Sequence, residues 1–349
     1  MGRMTTVPAE PDALPADPPR RRARWRARLG SIELLALVIL AAVLLRGTLV
    51  DVFSSANAST FITVFVSVAV AGLPFVVLGS VAAAALSVFV PRRVVDRLAS
   101  LPPAAGVPAA AGVGLVAPLG DGTTEASAGL LRRSAPGREK VASAVALTFL
   151  LSSSAVNPVV LAGTAVAFPD EPMMIVARLL ASLLVAAGLG GLWLWIGRPE
   201  WLTAIGRPSA SADDLDRGWP AFWERCRLDI VRSGGFVVLG ALVVAVVTAW
   251  MPARWLDAIG GSGLFAVVAM ALLAVLLSVR GGPDAFVAAA LSRFPVTARL
   301  AFLVVGPMAN LRLFTRQVSA LGPSFALRAA PAALVAGVLA AWAVGAVLL

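Results

Sequence analysis

The chain has 349 residues, of which 59% are hydrophobic and 14% charged, with a formal net charge of +10; its mean hydropathy is +0.89. Soluble domains run nearer a quarter charged, and several apolar runs here reach the ~20 residues that cross a bilayer, so the chain reads as an all-α polytopic membrane protein and not as a soluble globule. There is no His or Tyr and a single Cys, Cys226, which excludes a disulfide framework and argues against a thiolate or imidazole metal site; no cofactor and no metal is expected.

The basic residues lie between the apolar runs, where cytoplasmic loops would keep them, so the charge points to a lipid bilayer and not to nucleic acid. Only Lys140 is lysine among the basic residues. That Arg and Ala bias reads as a GC-rich bacterial genome and places the chain in a bacterial plasma membrane.

Residues 1–31 read as a disordered basic cytoplasmic tail ending in "PPRRRARWRARLG". The run that follows is long enough to span and has no small-residue cleavage site, so it is read as a first transmembrane helix with its outer loop, 32–59, and not as a signal peptide. Candidate spans then cover 34–50, 60–90, 104–119, 141–167, 173–196, 234–251, 263–279, 296–311 and 329–349. A polar stretch, 197–232, interrupts them and reads as a cytoplasmic linker between 60–196 and 233–349.

The two halves resemble each other. "FVVLG" stands at 75–79 and again at 236–240, and at the same spacing Pro91, Arg93 and Asp96 match Pro252, Arg254 and Asp257. "FL" at 149–150 and at 302–303 stands eight residues before Asn157 and Asn310 respectively. Internal repeats of this kind mark transporter folds.

Charge decides the orientation. If all nine runs cross fully, basic residues divide almost evenly between the two sides. If 104–119 and 263–279 enter partway and return, basic residues concentrate inside, as the positive-inside rule requires. The N-terminus is then cytoplasmic, the C-terminus outside, and the halves are two inverted repeats, each with a re-entrant broken-helix hairpin. Arg132, Arg133, Arg138, Lys140, Arg312, Arg316 and Arg328 read as topology anchors.

This topology puts polar groups at membrane depth. Gly120-Asp121-Gly122 forms the first hairpin tip, followed by Thr123, Thr124 and Glu125; Gly281, Gly282 and Pro283 form the second, flanked by Arg280 and Asp284. A carboxylate near the bilayer centre costs roughly 2.5–3.5 kcal/mol on insertion scales, so each needs a partner or a role. Asp121 and Glu125 read either as ion or substrate ligands or as a helix cap and first-turn acid. Arg280 and Asp284 read either as a local i,i+4 pair or as cavity groups, with Arg280 reaching to Asp121 or to an anionic substrate. Ser154, Asn157 and Pro158 in "LSSSAVNPVV", and Gly306, Pro307 and Asn310 in "VVGPMANLRLF", sit at helix breaks. Freed carbonyls and Asn amides there are candidate ligands; the bland alternative is polar helix–helix contact.

The segments "GLPFVVLGSVAAAALSVFVP", "APLGDGTTEASAGLLRRSAP", "TFLLSSSAVNPVVL", "GGFVVLGALVVAVVTAWMP", "GGPDAFVAAALSRFP" and "AFLVVGPMANLRL" together resemble a family of predicted bacterial permeases that includes organoarsenical efflux permeases. The likeness covers about residues 60–349 and implies a multi-pass permease. Members often carry a short Cys motif where this chain has "LGDGTT". With no Cys in the membrane, soft thiolate binding of trivalent arsenic lacks its ligands, and an arsenical substrate is not carried over.

The function expected from these features is gradient-driven transport of a small polar or ionic solute, coupled to protons through Asp121, Glu125 or Asp284, at a mid-membrane site between the halves. No Walker A pattern is present, so no ATPase lies in this chain. The alternatives are a non-transporting scaffold or partner subunit, a channel, and an intramembrane aspartyl hydrolase with Asp121 and Asp284 as dyad. Self-association into a homo-oligomer stays open.

Overall fold

The computed structural model describes residues 55–89, 103–116, 139–201, 218–252, 254, 261, 263–279 and 282–349, of which Ser55–Leu349 is one compact unit. The expected tail and first span lie outside the described residues up to 54, as do Gly120, Asp121, Gly122, Thr123, Thr124, Glu125, Arg280 and Gly281.

Among the described residues all regular structure is helical: α1 (Ala56–Phe89), α2 (Pro103–Val116), α3 (Glu139–Ala155), α4 (Pro158–Ala167), α5 (Met173–Ile196), a 3-10 turn (Pro199–Trp201), α6 (Trp219–Trp250), α7 (Leu264–Leu277), α8 (Pro283–Ala290), α9 (Val296–Met308), α10 (Leu311–Ala320) and α11 (Pro323–Leu348). Among the described residues six stretches are long and apolar enough to cross a membrane: Ala56–Ala85, Glu139–Ala167, Met173–Ile196, Trp219–Trp250, Val296–Ala320 and Pro323–Leu348. Two of these are each made of two helices, α3 with α4 and α9 with α10. α2 and α7 have 14 residues each, about 21 Å at 1.5 Å per residue, short of the ~30 Å hydrocarbon core.

Helix boundaries depart from the apolar runs in three places. α6 begins at Trp219, well before the apolar run at 234, because Phe222 and Cys226 are buried against Ala84 of α1. Its polar residues face outward, where Arg227 pairs with Glu224 at 2.9 Å. α10 continues past 311 through "LRLFTRQVSA": it buries Leu313 and Gln317, a one-sided pattern that an apolar-run criterion passes over. α11 starts at Pro323, whose fixed φ suits a first helical position.

The two broken spans form the core. In their most apolar windows, 89% of Glu139–Ala167 and 72% of Val296–Ala320 is buried, against 17% for Ala56–Ala85 and 22% for Pro323–Leu348. The outer helices expose Val70, Leu184, Leu192, Leu276 and Leu339, which suits a lipid-facing surface and no aqueous one. α2, α3 and α5 pack on one another as α7, α9 and α11 do, and the halves meet through α1 with α6, α3 with α9 and α5 with α11. Val76 and Val237, at matched positions of the two "FVVLG" segments, are both buried. Close packing relies on small residues: a Cβ on Gly114 would stand 1.8 Å from the Ser152 hydroxyl oxygen, so α2 reaches α3 only with glycine there.

Named contacts fix which helix ends lie together. At one end Lys140 donates to the Trp195 carbonyl at 3.1 Å, Trp193 Nε1 donates to Ser143 Oγ at 2.8 Å, Trp193 meets Phe325 at 5.1 Å, and Arg328 sits 4.3 Å over Trp201. At the other, Arg299 Nη2 donates to Glu171 Oε1 at 2.9 Å and stacks over Phe168. There too Phe61 meets Trp250 at 5.4 Å, and Val247 and Thr248 line one small pocket with residues 290–294.

Candidate functional site

α4, α5 and α8 converge on a buried ion pair. Pro283 starts α8 at its first position and Gly282, with φ +100°, supplies the backbone turn before it. This sets Asp284 in the first turn, where the helix dipole favours a negative charge. Arg178 Nη2 donates to Asp284 Oδ2 at 2.5 Å and Nη1 approaches Oδ1 at 3.4 Å. The Gly282 backbone N–H donates to Oδ1 at 3.2 Å. Arg178 Nη1 also donates to Thr164 Oγ1 at 2.8 Å, and the Thr164 hydroxyl donates to the Val160 carbonyl at 2.9 Å. Arg178, Thr164 and Asp284 are each 0% exposed. Arg178 Nε and, one helical turn along α5, Ser182 Oγ are buried without a hydrogen-bond partner among the described residues.

The approach of α4 to this turn needs glycine. A Cβ on Gly163 would lie 2.9 Å from the Gly282 carbonyl oxygen and 3.0 Å from its Cα. α1 closes the other side, with Phe75 and Phe286 rings 5.1 Å apart. The site therefore joins the first half, through Thr164, Arg178 and Phe75, to the second, through Gly282 and Asp284.

The expected local partner of Asp284, Arg280, lies outside the described residues; among the described ones the carboxylate is held by Arg178 from 106 residues away. Arg178 is the residue that the run-and-break reading passed over. Its signal was present: it is the single ionisable residue of α5, and an ionisable group inside an apolar span is a site candidate by default.

Asn157 and Asn310 are N-caps. Asn157 Oδ1 accepts from Val160 N at 3.0 Å and Nδ2 donates to the Ser153 carbonyl at 3.4 Å. Asn310 Oδ1 accepts from Leu313 N at 2.7 Å and Nδ2 donates to the Gly306 carbonyl at 2.7 Å. Both residues have extended backbone, −139°/165° and −130°/160°. Each amide thus bridges its break, reaching four residues back and three forward, and is committed to backbone groups. The prolines are not equivalent: Pro158 opens α4, whereas Pro307 lies inside α9. Ser154 donates back to the Leu150 carbonyl at 2.7 Å within its own helix. Arg312, read as an anchor, stands in the first turn after the Asn310 cap with its guanidinium 5.1 Å over Phe236. Among the described residues no cluster of acidic or Cys side chains suits a metal ion.

A Streptococcus mutans protein described as a candidate subunit of a two-component membrane permease complex is 26% identical over 273 residues, 76% of this chain and 89% of that protein. The UPF0718 protein YcgR of Bacillus subtilis is 23% identical over 268 residues, 75% of this chain and 89% of its own length. No solved structure matches. The model of the predicted permease family ArsP_1 matches residues 57–347, nearly all of the described helical unit, and the chain belongs to that family.

Proposed function

We propose that the protein is a gradient-driven secondary transporter of a small polar or ionic solute, built from two inverted repeats, with its site at the junction of α4, α5 and α8. The observation that carries this reading is the fully buried Arg178–Asp284 pair linking the two halves. A buried ion pair is poor at stabilising a fold, since desolvation offsets most of its attraction. An ionisable pair inside a membrane bundle, beside interrupted helices, is the usual setting of a transport site.

The inversion is supported by the helix ends. α3 starts beside the end of α5 and the start of α11, and α4 ends beside the loop that carries Glu171. α9 starts at Val296 and its first turn brings Arg299 onto that same loop, and α10 leads into α11 at the opposite end. The two broken spans therefore run in opposite directions. α4 and α10 have ten residues each, about 15 Å, so both Asn caps fall near the middle of a ~30 Å core. The shortness of α2 and α7 supports the two re-entrant hairpins. Asn157 and Asn310 act as hinge caps, and Asp284 is the proton-coupling carboxylate, with Asp121 and Glu125 as further candidates on the first hairpin. The carboxylate dyad that a hydrolase needs is disfavoured by Asp284 being held by a guanidinium. The plasma membrane is the place of action, with the N-terminus cytoplasmic.

The test is solute-driven proton flux in liposomes. The full chain is reconstituted with an internal pH dye and challenged with a panel of small organic acids, amines and neutral polar solutes. At least one class should move protons with wild type and not with Asp284→Asn. Equal flux with Asp284→Asn overturns the coupling role, and no flux for any class overturns transport by this chain alone. A second reading, that the chain works as one subunit of a complex, is favoured by the description of the Streptococcus mutans relative. It predicts flux only when a second membrane protein is co-reconstituted.

A further inference from the structure

We infer that Arg178 is the recognition residue for an anionic group on the solute, a carboxylate or similarly sized monoanion, and that Asp284 occupies its place in the solute-free protein as an internal carboxylate. This rests on the transport reading above.

Among the described residues the groups around the Asp284 carboxylate are donors: two guanidinium N–H groups, the Gly282 backbone N–H and the N-terminal turn of the eight-residue α8. They form a receptor for a pair of carboxylate oxygens, and a guanidinium fork fits that shape best. The receptor has capacity to spare. Arg178 Nε is fully buried and lacks a partner among the described residues, and so does Ser182 Oγ on the same face of α5. Buried donors without acceptors are uncommon in a finished core and are expected where another ligand completes the set. Thr164, whose own proton goes to the Val160 carbonyl, accepts from Nη1 and so holds the guanidinium in place.

Exchange of one anion for the other conserves charge. A proton taken from solvent by an Asp284 carboxylate oxygen leaves a neutral acid that no longer holds the guanidinium. A solute monoanion then takes its place, and Arg178 is again neutralised. One proton and one anion enter the site together, with no net charge added and no covalent bond made or broken beyond the O–H on Asp284. The backbone can serve this exchange: Asp284 follows a break in which Ser278 has a left-handed φ of 52° and Gly282 a φ of 100°.

The experiment uses thermal unfolding of the full-length protein in detergent with sodium formate as the probe and sodium chloride at equal ionic strength as the control. Asp284→Ala opens the carboxylate position, and Arg178→Met/Asp284→Ala removes the receptor. Formate should raise the melting temperature of Asp284→Ala saturably by about 4 °C beyond chloride, and the double variant by nothing. Wild type, whose own carboxylate fills the position, should show a smaller shift than Asp284→Ala. If Asp284→Ala does not fold, Asp284→Asn, which keeps the volume and loses the charge, with Arg178→Met/Asp284→Asn as control, reads the same quantity. A formate response no larger than that of chloride, or an equal response without Arg178, overturns the assignment. If solute-driven proton flux persists in that case, the transport reading stands without it; absent flux with an intact formate response sinks transport alone.

Discussion

Arg178 on α5 and Asp284 on α8 meet with Nη2 2.5 Å from Oδ2, both side chains wholly buried, 106 residues apart in the chain. The pair ties the first half to the second at the point where the helix after Gly282 begins.

Breaking one side of this pair strands a charge. Arg178→Met or Asp284→Leu alone should destabilise the fold by about 3–5 kcal/mol, whereas the two together should recover most of that loss, because apolar groups of similar volume need no partner. Thermal melts of the three variants measure it. A double variant no more stable than the singles would mean that Thr164 and Gly282 depend on the charges for their placement.

The Asn caps should differ in strength. Each should lose about 1 kcal/mol on replacement by Ala. Asn310→Ala should lose more than Asn157→Ala, since its two bonds are 2.7 Å each against 3.0 and 3.4 Å. Asp at either position keeps the oxygen acceptor and loses the Nδ2 donor, so it should recover part of the loss. Comparing unfolding midpoints of the four variants decides this.

Gly163→Ala should be costly and Gly188→Ala silent. The new methyl at 163 would meet the backbone of residue 282 at 2.9–3.0 Å, and backbone cannot rotate aside, whereas nothing lies within 4 Å of a Cβ at 188. A loss of about 1–3 kcal/mol is expected for the first, the range seen on overpacking. An unchanged melting temperature for Gly163→Ala would show that α4 can retreat from the break.

The helix ends, together with the charge-based orientation proposed above, predict sidedness. On a Cys226→Ser background, single cysteines at Arg198 and Ser324 should react with an impermeant maleimide only from the cytoplasm, and those at Asp170 and Ser292 only from outside. Asp170, Arg198 and Ser292 are exposed and Ser324 is half-buried. Labelling of Asp170 and Ser324 from the same side would contradict the opposed directions of the two broken spans.

Much of this molecule is written locally in its sequence. Membrane class follows from run length, because ~20 apolar residues are what a bilayer demands. The breaks follow from Asn-Pro at 157–158, the Asn310 cap and Gly-Pro at 282–283, since a cap or a proline acts on its own few residues wherever the chain goes. The repeat is visible because "FVVLG" and the matched Asn residues recur at fixed spacing.

Tertiary packing decided the rest. Local spacing offered Arg280 as the partner of Asp284, four residues away, because an i,i+4 rule sees only one helix. Among the described residues the partner is Arg178, brought in when α5 and α8 pack around α4 at Gly163, and no short-range pattern encodes which distant arginine will arrive. The Asn amides suited a ligand or a polar helix–helix contact; in the structure each bonds backbone four residues back and three forward, as an N-cap. Packing extended α6 to Trp219 as well, since Cys226 and Phe222 lie in a polar stretch and become buried only against Ala84 of a helix from the other half.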